Sequence, residues 1–204
     1  MAQPLVEHTL QILKPFEDSK KPRNLKLSFA VRKFRDRLDF DFILTGRSPI
    51  DIANVVLAGF PPQEGSPPKS LERRHELWKS TCLEVFFGPA DQSSYFELNL
   101  SPSGDWNVYH FDAYRTGFRE HPGLSLILKK ITQTQNGDSL TWHVSLDGRS
   151  LAGDDPLREL LTHGLVMGAS AVMEYTSGDK EYWALVHAGP KPDFHLRESF
   201  RLIL

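Results

Sequence analysis

The chain has 204 residues, a formal net charge of −2 and a single cysteine. The length fits one large all-β domain, the near-neutral charge gives no electrostatic basis for binding nucleic acid or an anionic membrane, and one cysteine excludes a disulfide framework and a cysteine-based zinc site. The sequence shows neither a secretory signal pattern nor an apolar run near the roughly 20 residues that span a bilayer. We therefore expect a soluble, cytoplasmic protein in which residues 1–204 form one domain, and the oligomeric state stays open.

Alternating apolar and polar side chains predict three strands in the N-terminal part of the chain. They are Leu5–Leu13, Leu25–Phe34 and Leu38–Thr45. The charged segment between the second and third predicts a hairpin with one solvated face. Residues 46–70 contain five prolines, which interrupt regular structure, so we expect a long irregular loop there that is either functional or mobile.

The most distinctive stretch, Leu77–Phe118, contains three short predicted strands joined by turns rich in glycine, proline and aspartate. The strands are Cys82–Phe87, Tyr95–Ser101 and Trp106–Phe111. Successive side chains of a strand point to opposite faces, so Glu97 shares a face with Asn99, and Glu84 lies among apolar neighbours on the preceding strand. An ionisable group in such surroundings is paired, hydrated or functional. This stretch therefore predicts a site.

The C-terminal part of the chain continues the pattern of short strands and turns. The predicted strands are Leu124–Gln133, Ser139–Ser145, Leu165–Tyr175, Glu181–His187 and Glu198–Leu204. Asn136 and Gly137 predict a hairpin turn between the first two. Asp155 followed by Pro156 predicts the start of a short helix that ends near Leu161. Together these elements predict an all-β fold, an antiparallel β-sandwich with one short helix.

Three stretches carry a resemblance to a known family. They are the pattern LW-x3-C-x-E-x-F at residues 77–86, FELNLSPSGDWNVYHFDAYR at residues 96–115, and the tail PDFHLRESFRLIL at residues 192–204. The chain resembles, over nearly its whole length, a bacterial DOMON-like domain family related to family 9 carbohydrate-binding modules. The resemblance implies an immunoglobulin-like or jelly-roll sandwich that binds a sugar or, in some branches, haem, and that is not an enzyme.

In family 9 modules a terminal sugar lies between two tryptophan rings, with a carboxylate on the strand after the first ring. Trp78 and Glu84 match that ring and that carboxylate in order and spacing. The second tryptophan is absent, and Phe194 and His195 lie near its expected position before the last strand. The resemblance thus implies a sugar site whose second wall departs from the family pattern.

The residues expected to bind a carbohydrate, or a small molecule derived from one, combine aromatic faces with groups that bind hydroxyls. They are Trp78, Glu84, Asn99, Trp106, Arg115, Asp193, Phe194 and His195. The alternative for Trp78 and Trp106 is that each ring closes an end of the sandwich core. Arg115 is as well suited to pair with Glu84 as to bind an acidic ligand.

Other interpretations of these residues stay open. Glu84 and Glu97 on neighbouring strands would form a glycosidase-like pair, or would be ion-paired with Arg115 or Arg47 as structural groups. Haem ligation would draw on Met167, Met173, His110 and His187. We predict no catalytic residue, cofactor or transition-metal site, and calcium bound by scattered oxygens stays open. A domain whose aromatic face binds another protein, without a small ligand, is the alternative from another functional class.

Overall fold

The computed structural model describes residues 3–16, 24–57, 72–122 and 126–204. Almost all regular structure in these ranges is antiparallel strand. The strands are β1 (Val6–Pro15), β2 (Leu25–Lys33), β3 (Arg37–Gly46), β4 (Cys82–Gly88), β5 (Tyr95–Leu100), β6 (Trp106–Phe111), β7 (Arg119–Glu120), β8 (Leu126–Gln133), β9 (Ser139–Asp147), β10 (Val166–Glu174), β11 (Lys180–Ala184) and β12 (Leu202–Ile203). The helices are α1 (Pro49–Ala53) and α2 (Pro156–Thr162), and single 3₁₀ turns cover Leu77–Lys79 and Arg197–Ser199.

The strands form one continuous sheet that strand β1 divides into two halves. The order is β7-β6-β5-β4-β10-β11-β1-β2-β3-β9-β8, with β12 paired to the start of β10. Residues Val6 to Leu13 of β1 pair with β2, whereas Lys14 and Pro15 pair with β11. We call the strands from β7 to β11 in this order the first half and those from β1 to β8 the second half. Because β1 changes partner along its length, the two halves can fold over each other.

Alternate side chains from both halves fill the space between them. Phe29 and Phe42 of the second half belong to the same buried cluster as Val85 and Leu98 of the first half. On its opposite face, which we call the site face, the first half carries a second buried cluster around Phe86. Strands β4 and β5 are therefore buried on both faces, and any polar group on them needs a partner.

The predicted antiparallel β-sandwich is confirmed, with one helix more than expected. Helix α1 lies in the stretch predicted as irregular loop, of which residues 58–70 lie outside the described residues. Its first turn is stabilised locally, because the Asp51 carboxylate accepts a hydrogen bond from the Ser48 backbone N–H at 2.9 Å and Pro49 occupies a position that needs no N–H donor. In the described ranges, no helix is both long and apolar enough to cross a lipid bilayer.

Two further boundaries differ from the sequence prediction. The C-terminal strand covers only Leu202–Ile203, because the 3₁₀ turn at Arg197–Ser199 occupies the start of the predicted segment. The connection after β6 contains the two-residue strand β7, which continues the sheet beyond β6. Both changes affect segments that pack beside the site face.

Helix α2 is fixed to the first half through its N-cap residue, Asp155. The Asp155 Oδ1 atom accepts a hydrogen bond from the Leu157 backbone N–H at 2.9 Å and lies 3.0 Å from Nε2 of His121, which is 5% exposed. One carboxylate therefore caps the helix and satisfies a buried imidazole nitrogen.

We expect Asp155→Ala to lower the free energy of unfolding by about 1–2 kcal/mol, because both hydrogen bonds are lost together. Urea denaturation followed by circular dichroism measures this change. The exposed neighbour Asp154 provides the control, since Asp154→Ala should change stability by less than about 0.5 kcal/mol. Equal effects of the two substitutions would contradict the assigned role of Asp155.

Candidate functional site

A pocket of about 380 Å³ opens on the site face of the first half. Aromatic rings and acidic or basic side chains make up most of its lining. The rings are Trp78, Phe111, Phe118, Tyr182 and Phe194, the acidic or basic groups are Glu84, Glu97, Arg115 and His195, and Val172 and Pro192 complete the wall. Residues 78–118, strand β10, strand β11 and the segment before β12 thus contribute to one cavity.

The strand register places two carboxyl groups side by side in this pocket. Glu84 of β4 pairs opposite Asn99, and Glu97 of β5 pairs opposite Phe86. The two glutamates are therefore diagonal neighbours on one face, with Cα atoms about 7–8 Å apart. They are only 3% and 5% exposed. The sheet itself thus holds both carboxyl groups away from bulk water.

Burial makes the neutral form of both carboxyl groups more favourable. It raises the pKa of Glu84 well above its ordinary value, and the nearby Glu97 raises it further. Burial also raises the pKa of Glu97, to about 7. Hydrogen bonds act in the opposite direction: Ser170 Oγ donates to Glu84 at 3.4 Å, and Asn99 Nδ2 donates to Glu97 at 2.7 Å. Desolvation is the larger effect in each case.

His195 connects Glu97 to a tyrosine at the edge of the pocket. Its Nδ1 atom lies 2.8 Å from the Tyr95 hydroxyl, and its Nε2 atom lies 3.8 Å from Glu97 Oε2. The Tyr95 hydroxyl also accepts a hydrogen bond from the Arg115 backbone N–H at 3.2 Å. One assignment suits all three contacts: Tyr95 donates to Nδ1, so the imidazole is neutral and directs its Nε2–H towards Glu97. Burial favours the same state, because it lowers the pKa of His195 to about 4.

Two loops hold Arg115 over the pocket. Its guanidinium donates to Asp193 Oδ1 at 3.0 Å, and the neighbouring Tyr114 hydroxyl donates to Asp193 Oδ2 at 2.5 Å. Arg115 has a φ of 52°, a left-handed conformation that is unfavourable for a residue with a side chain. The hydrogen bonds of its backbone and side chain stabilise that conformation. Asp193 also accepts from the His195 backbone N–H at 3.1 Å, so one aspartate orients both basic residues.

The aromatic walls pack against the buried cluster of the site face. Trp78 meets Tyr109 edge to face at 5.8 Å between ring centroids, and Phe118 stacks on Tyr109 at 4.6 Å. On the other side, Phe194 packs against Phe86 at 6.4 Å. Trp78 and Phe194 are only partly buried, so each contributes to packing and still lines the pocket.

The structure brings together most, but not all, of the residues singled out from the sequence. Trp78, Glu84, Arg115, Phe194 and His195 line the pocket, and Asn99 and Asp193 lie directly behind it as hydrogen-bond partners. Trp106 lies elsewhere: its ring belongs to the core between the two halves and is 7% exposed. The physical reason is the alternation along β6, which directs Tyr109 and Phe111 to the site face and Trp106 to the other.

Several lining residues were not among those predicted from the sequence. Phe111 and Phe118 are ordinary apolar positions of a strand and a loop, and Tyr182 lies on β11, opposite Val172 of β10. That pairing explains why Tyr182 and Val172 reach the same pocket. The alternation along β11 could have identified Tyr182 as a surface-facing residue, because it directs that side chain away from the buried side chains of Glu181 and Trp183.

The residues that the sequence suggested for haem ligation lie in different surroundings. Met167 and Met173 are buried in the core cluster, His110 stacks on Phe96 at 4.6 Å, and His187 contacts the Lys14 carbonyl oxygen at 2.9 Å. No group of three or more histidine, cysteine, aspartate or glutamate side chains suited to a metal ion occurs in the described part of the chain. The expectations about haem, calcium and transition metals therefore remain predictions made from the sequence alone.

Comparison with known proteins identifies the fold. No protein-family model and no curated protein sequence matches the chain. It is similar in structure to a putative carbohydrate-binding protein from Bacteroides uniformis, with a TM-score of 0.58 and 12% sequence identity over 94% of this chain and 83% of that one. A family 9 carbohydrate-binding module from Caldicellulosiruptor kristjanssonii in complex with cellotriose gives a TM-score of 0.48 and 7% identity over 89% of this chain and 74% of that one. At these identities the likeness concerns the fold alone.

We expect Glu97→Gln to change how stability depends on pH. A carboxyl whose pKa is raised in the folded state stabilises the protein fully below its ordinary pKa of 4.5, and that contribution is lost as the pH rises through about 7. Glutamine imitates the protonated form and cannot ionise. Between pH 5 and pH 8 the variant should therefore gain stability relative to the wild type, by on the order of 2–3 kcal/mol.

Urea denaturation at the two pH values measures this difference. Glu7→Gln, at an exposed position on β1, is the matched control and should leave the pH dependence unchanged. If the difference in the free energy of unfolding between Glu97→Gln and the wild type is the same at both pH values, then folding does not raise the pKa of Glu97.

Proposed function

We propose that this chain binds a carbohydrate, or a small molecule derived from one, in the pocket of the site face and without catalysis. The observation that carries the proposal is the lining itself: partly exposed rings lie beside a few polar groups that converge on one cavity. A sugar ring offers an apolar C–H face to an aromatic ring and hydroxyl groups to carboxyl, guanidinium and imidazole partners. The volume of the pocket, about 380 Å³, is near the lower end of the roughly 300–1,000 Å³ common for small-molecule sites. It therefore favours a ligand of one or two sugar rings.

The proposal assigns roles to five of the lining residues. Trp78 provides the face on which the ring lies, and Phe194 closes the opposite wall. Glu84 and His195 exchange hydrogen bonds with hydroxyl groups, and Arg115 donates to a ring or substituent oxygen. Asn99 is fully buried and donates to Glu97, so this proposal assigns it to positioning that carboxyl instead of to direct contact with the ligand.

Two independent similarities support a sugar as the ligand. The sequence resembles DOMON-like domains related to family 9 carbohydrate-binding modules, and Trp78, Glu84 and Phe194, which carry that resemblance, line one pocket. The fold is also that of a putative carbohydrate-binding protein. Membership of the DOMON-like family is part of this proposal.

The two glutamates also raise the question of glycoside hydrolysis, which uses a pair of carboxyl groups in one cleft. Such a pair works only when one carboxyl is ionised, as nucleophile or base, while the other is protonated. Here burial raises the pKa of Glu84 well above its ordinary value and that of Glu97 to about 7, so the charge states of the two carboxyl groups do not decide between binding and hydrolysis. The non-catalytic role in this proposal is drawn instead from the fold, which is that of a putative carbohydrate-binding protein. Nitrophenyl glycosides, incubated with the protein and followed by absorbance, should release no nitrophenol, and sustained release that depends on Glu84 and Glu97 would contradict a non-catalytic role.

Isothermal titration calorimetry with a panel of mono- and disaccharides tests the proposal. We expect dissociation constants in the micromolar to millimolar range, about −4 to −8 kcal/mol, because a ligand of this size buries few atoms. Absence of binding across neutral, amino, acetamido and acidic sugars would contradict the proposal. Binding of a second protein to the same face, without any sugar, would favour the interaction-domain alternative.

We expect Trp78→Ala to remove most of the binding while the melting temperature changes by only a few degrees, because its ring is half-buried and lines the pocket. Trp106→Ala is the matched contrast. That ring belongs to the core, and its loss should lower the free energy of unfolding by about 3–5 kcal/mol. Calorimetry and thermal denaturation of the two variants measure both effects, and unfolding of Trp78→Ala would show that Trp78 is a core residue.

A further inference from the structure

The pocket carries an excess of acidic groups over free basic ones. Its lining contains two carboxyl groups, one guanidinium and one imidazole. The guanidinium of Arg115 is already paired with Asp193 at 3.0 Å, so those two charges offset each other. The imidazole of His195 is buried and neutral. The carboxyl groups of Glu84 and Glu97 therefore have no directly paired lysine or arginine, and burial favours their neutral forms.

Neither glutamate forms an ion pair with a lysine or arginine of the described ranges, and the charge of Arg115 lowers the pKa of both only from a greater distance. Among the described residues, the basic group within ion-pair distance of either one is His195, at 3.8 Å from Glu97 Oε2. The other close contacts are neutral donors, namely Ser170 to Glu84 and Asn99 to Glu97. Two buried carboxyl groups on neighbouring strands with only neutral donors are an unfavourable arrangement, because removing charge from water is compensated only by an opposite charge with good geometry.

A protonated amine would supply what this arrangement lacks. An ammonium group has three hydrogen-bond donors and no acceptor, which suits ionised carboxylates, which are acceptors only. Hydrogen bonds between two charged partners are about twice as strong as those between neutral groups. Such a ligand would therefore stabilise the ionised form of both glutamates.

The rings of the pocket favour the same kind of ligand. A cation within about 6 Å of an aromatic centroid is attracted by the ring face, most strongly by tryptophan. Trp78, Tyr182 and Phe194 each present surface to the cavity that holds the two carboxyl groups. A neutral sugar would offer no cation to either carboxyl group when it ionises, and an acidic sugar would add a further negative charge.

We propose that the ligand is an amino sugar with a free, protonated amine, and that the amine lies against Glu84 and Glu97. This inference rests on the proposed carbohydrate-binding function and names the class of carbohydrate. Trp78 would contact the ring, and the paired Arg115 and Asp193 would lie at the rim of the pocket.

The affinity for such a ligand should change with pH, and the charge states of the groups around Glu97 decide whether it rises or falls. The titratable or charged groups that face it from the packed elements are Cys82 and Glu84 on β4, Tyr95 on β5, Tyr109 on β6, Arg115 in the loop after β6, and Asp193 and His195 in the loop before β12. Burial raises the pKa of Cys82, Tyr95 and Tyr109, so these stay neutral near pH 7. Glu97 gains its negative charge as the pH rises through about 7, and affinity for an amine should increase from pH 5.5 to pH 7.5.

Calorimetry with five compounds tests the inference on the full chain: glucosamine, N-acetylglucosamine, glucose, glucuronate and cyclohexylamine. Glucosamine should bind roughly tenfold more tightly, or better, than glucose or N-acetylglucosamine at pH 7.5, and this preference should weaken at pH 5.5. In Glu97→Gln, and independently in Glu84→Gln, the preference should fall to about threefold or less. Glu7→Gln, at an exposed position on β1, should retain it. Circular dichroism of each variant confirms that the sheet is intact.

The outcomes separate this inference from the function on which it rests. Equal binding of glucosamine, glucose and N-acetylglucosamine would overturn the amine preference and leave carbohydrate binding in place. Binding of cyclohexylamine without any sugar would overturn the carbohydrate assignment and support recognition of an amine. No binding of any compound would overturn both, and a preference that persists in both glutamine variants would overturn the assigned role of Glu84 and Glu97.

Discussion

Strands β4 and β5 bury both of their faces, and the rest of the site depends on that constraint. One face packs against the second half of the sheet, where Val85 and Leu98 join the core. The other face lies under the 3₁₀ turn at Leu77–Lys79, the loop after β6 and the segment before β12. A strand in the middle of a sheet with two buried faces would ordinarily be apolar throughout. Here Glu84 and Glu97 interrupt that pattern, and the covering segments determine their chemistry.

The covering segments do more than exclude water. Asp193 orients Arg115 and the backbone of His195 together, and Tyr95 receives the Arg115 backbone N–H while it contacts the His195 ring. Three separate parts of the chain are thus joined by hydrogen bonds around one carboxyl group. Such a network is rigid because each member satisfies another, and a rigid first layer of side chains is what selective binding of a small ligand requires.

Core packing and the pocket lining share the same aromatic residues. Trp78 and Phe118 both rest on Tyr109, which is fully buried, so their inner edges belong to the protein interior while their outer surfaces line the cavity. This arrangement lets rings form a pocket at little conformational cost, since a ring already held by packing loses no further freedom when a ligand arrives. It also explains how the site has aromatic walls with Trp78 as the one tryptophan among the described lining residues.

The sequence by itself determined the strands, the alternation along them and several pocket residues. Period-two alternation placed Glu97 with Asn99 and apart from Leu98, because that rule depends only on the backbone of one strand. It could not decide which face of β6 would meet the pocket, and Trp106 shows the consequence: only the pairing of Trp106 with Leu100, and of Asn107 with Asn99, directs Trp106 to the core. Phe118 and Tyr182 lie far apart in the chain and meet at the cavity only through the folding of the sheet. The charge states of Glu84, Glu97 and His195 were likewise decided by the tertiary structure, since desolvation depends on what covers a residue and local sequence does not specify that cover.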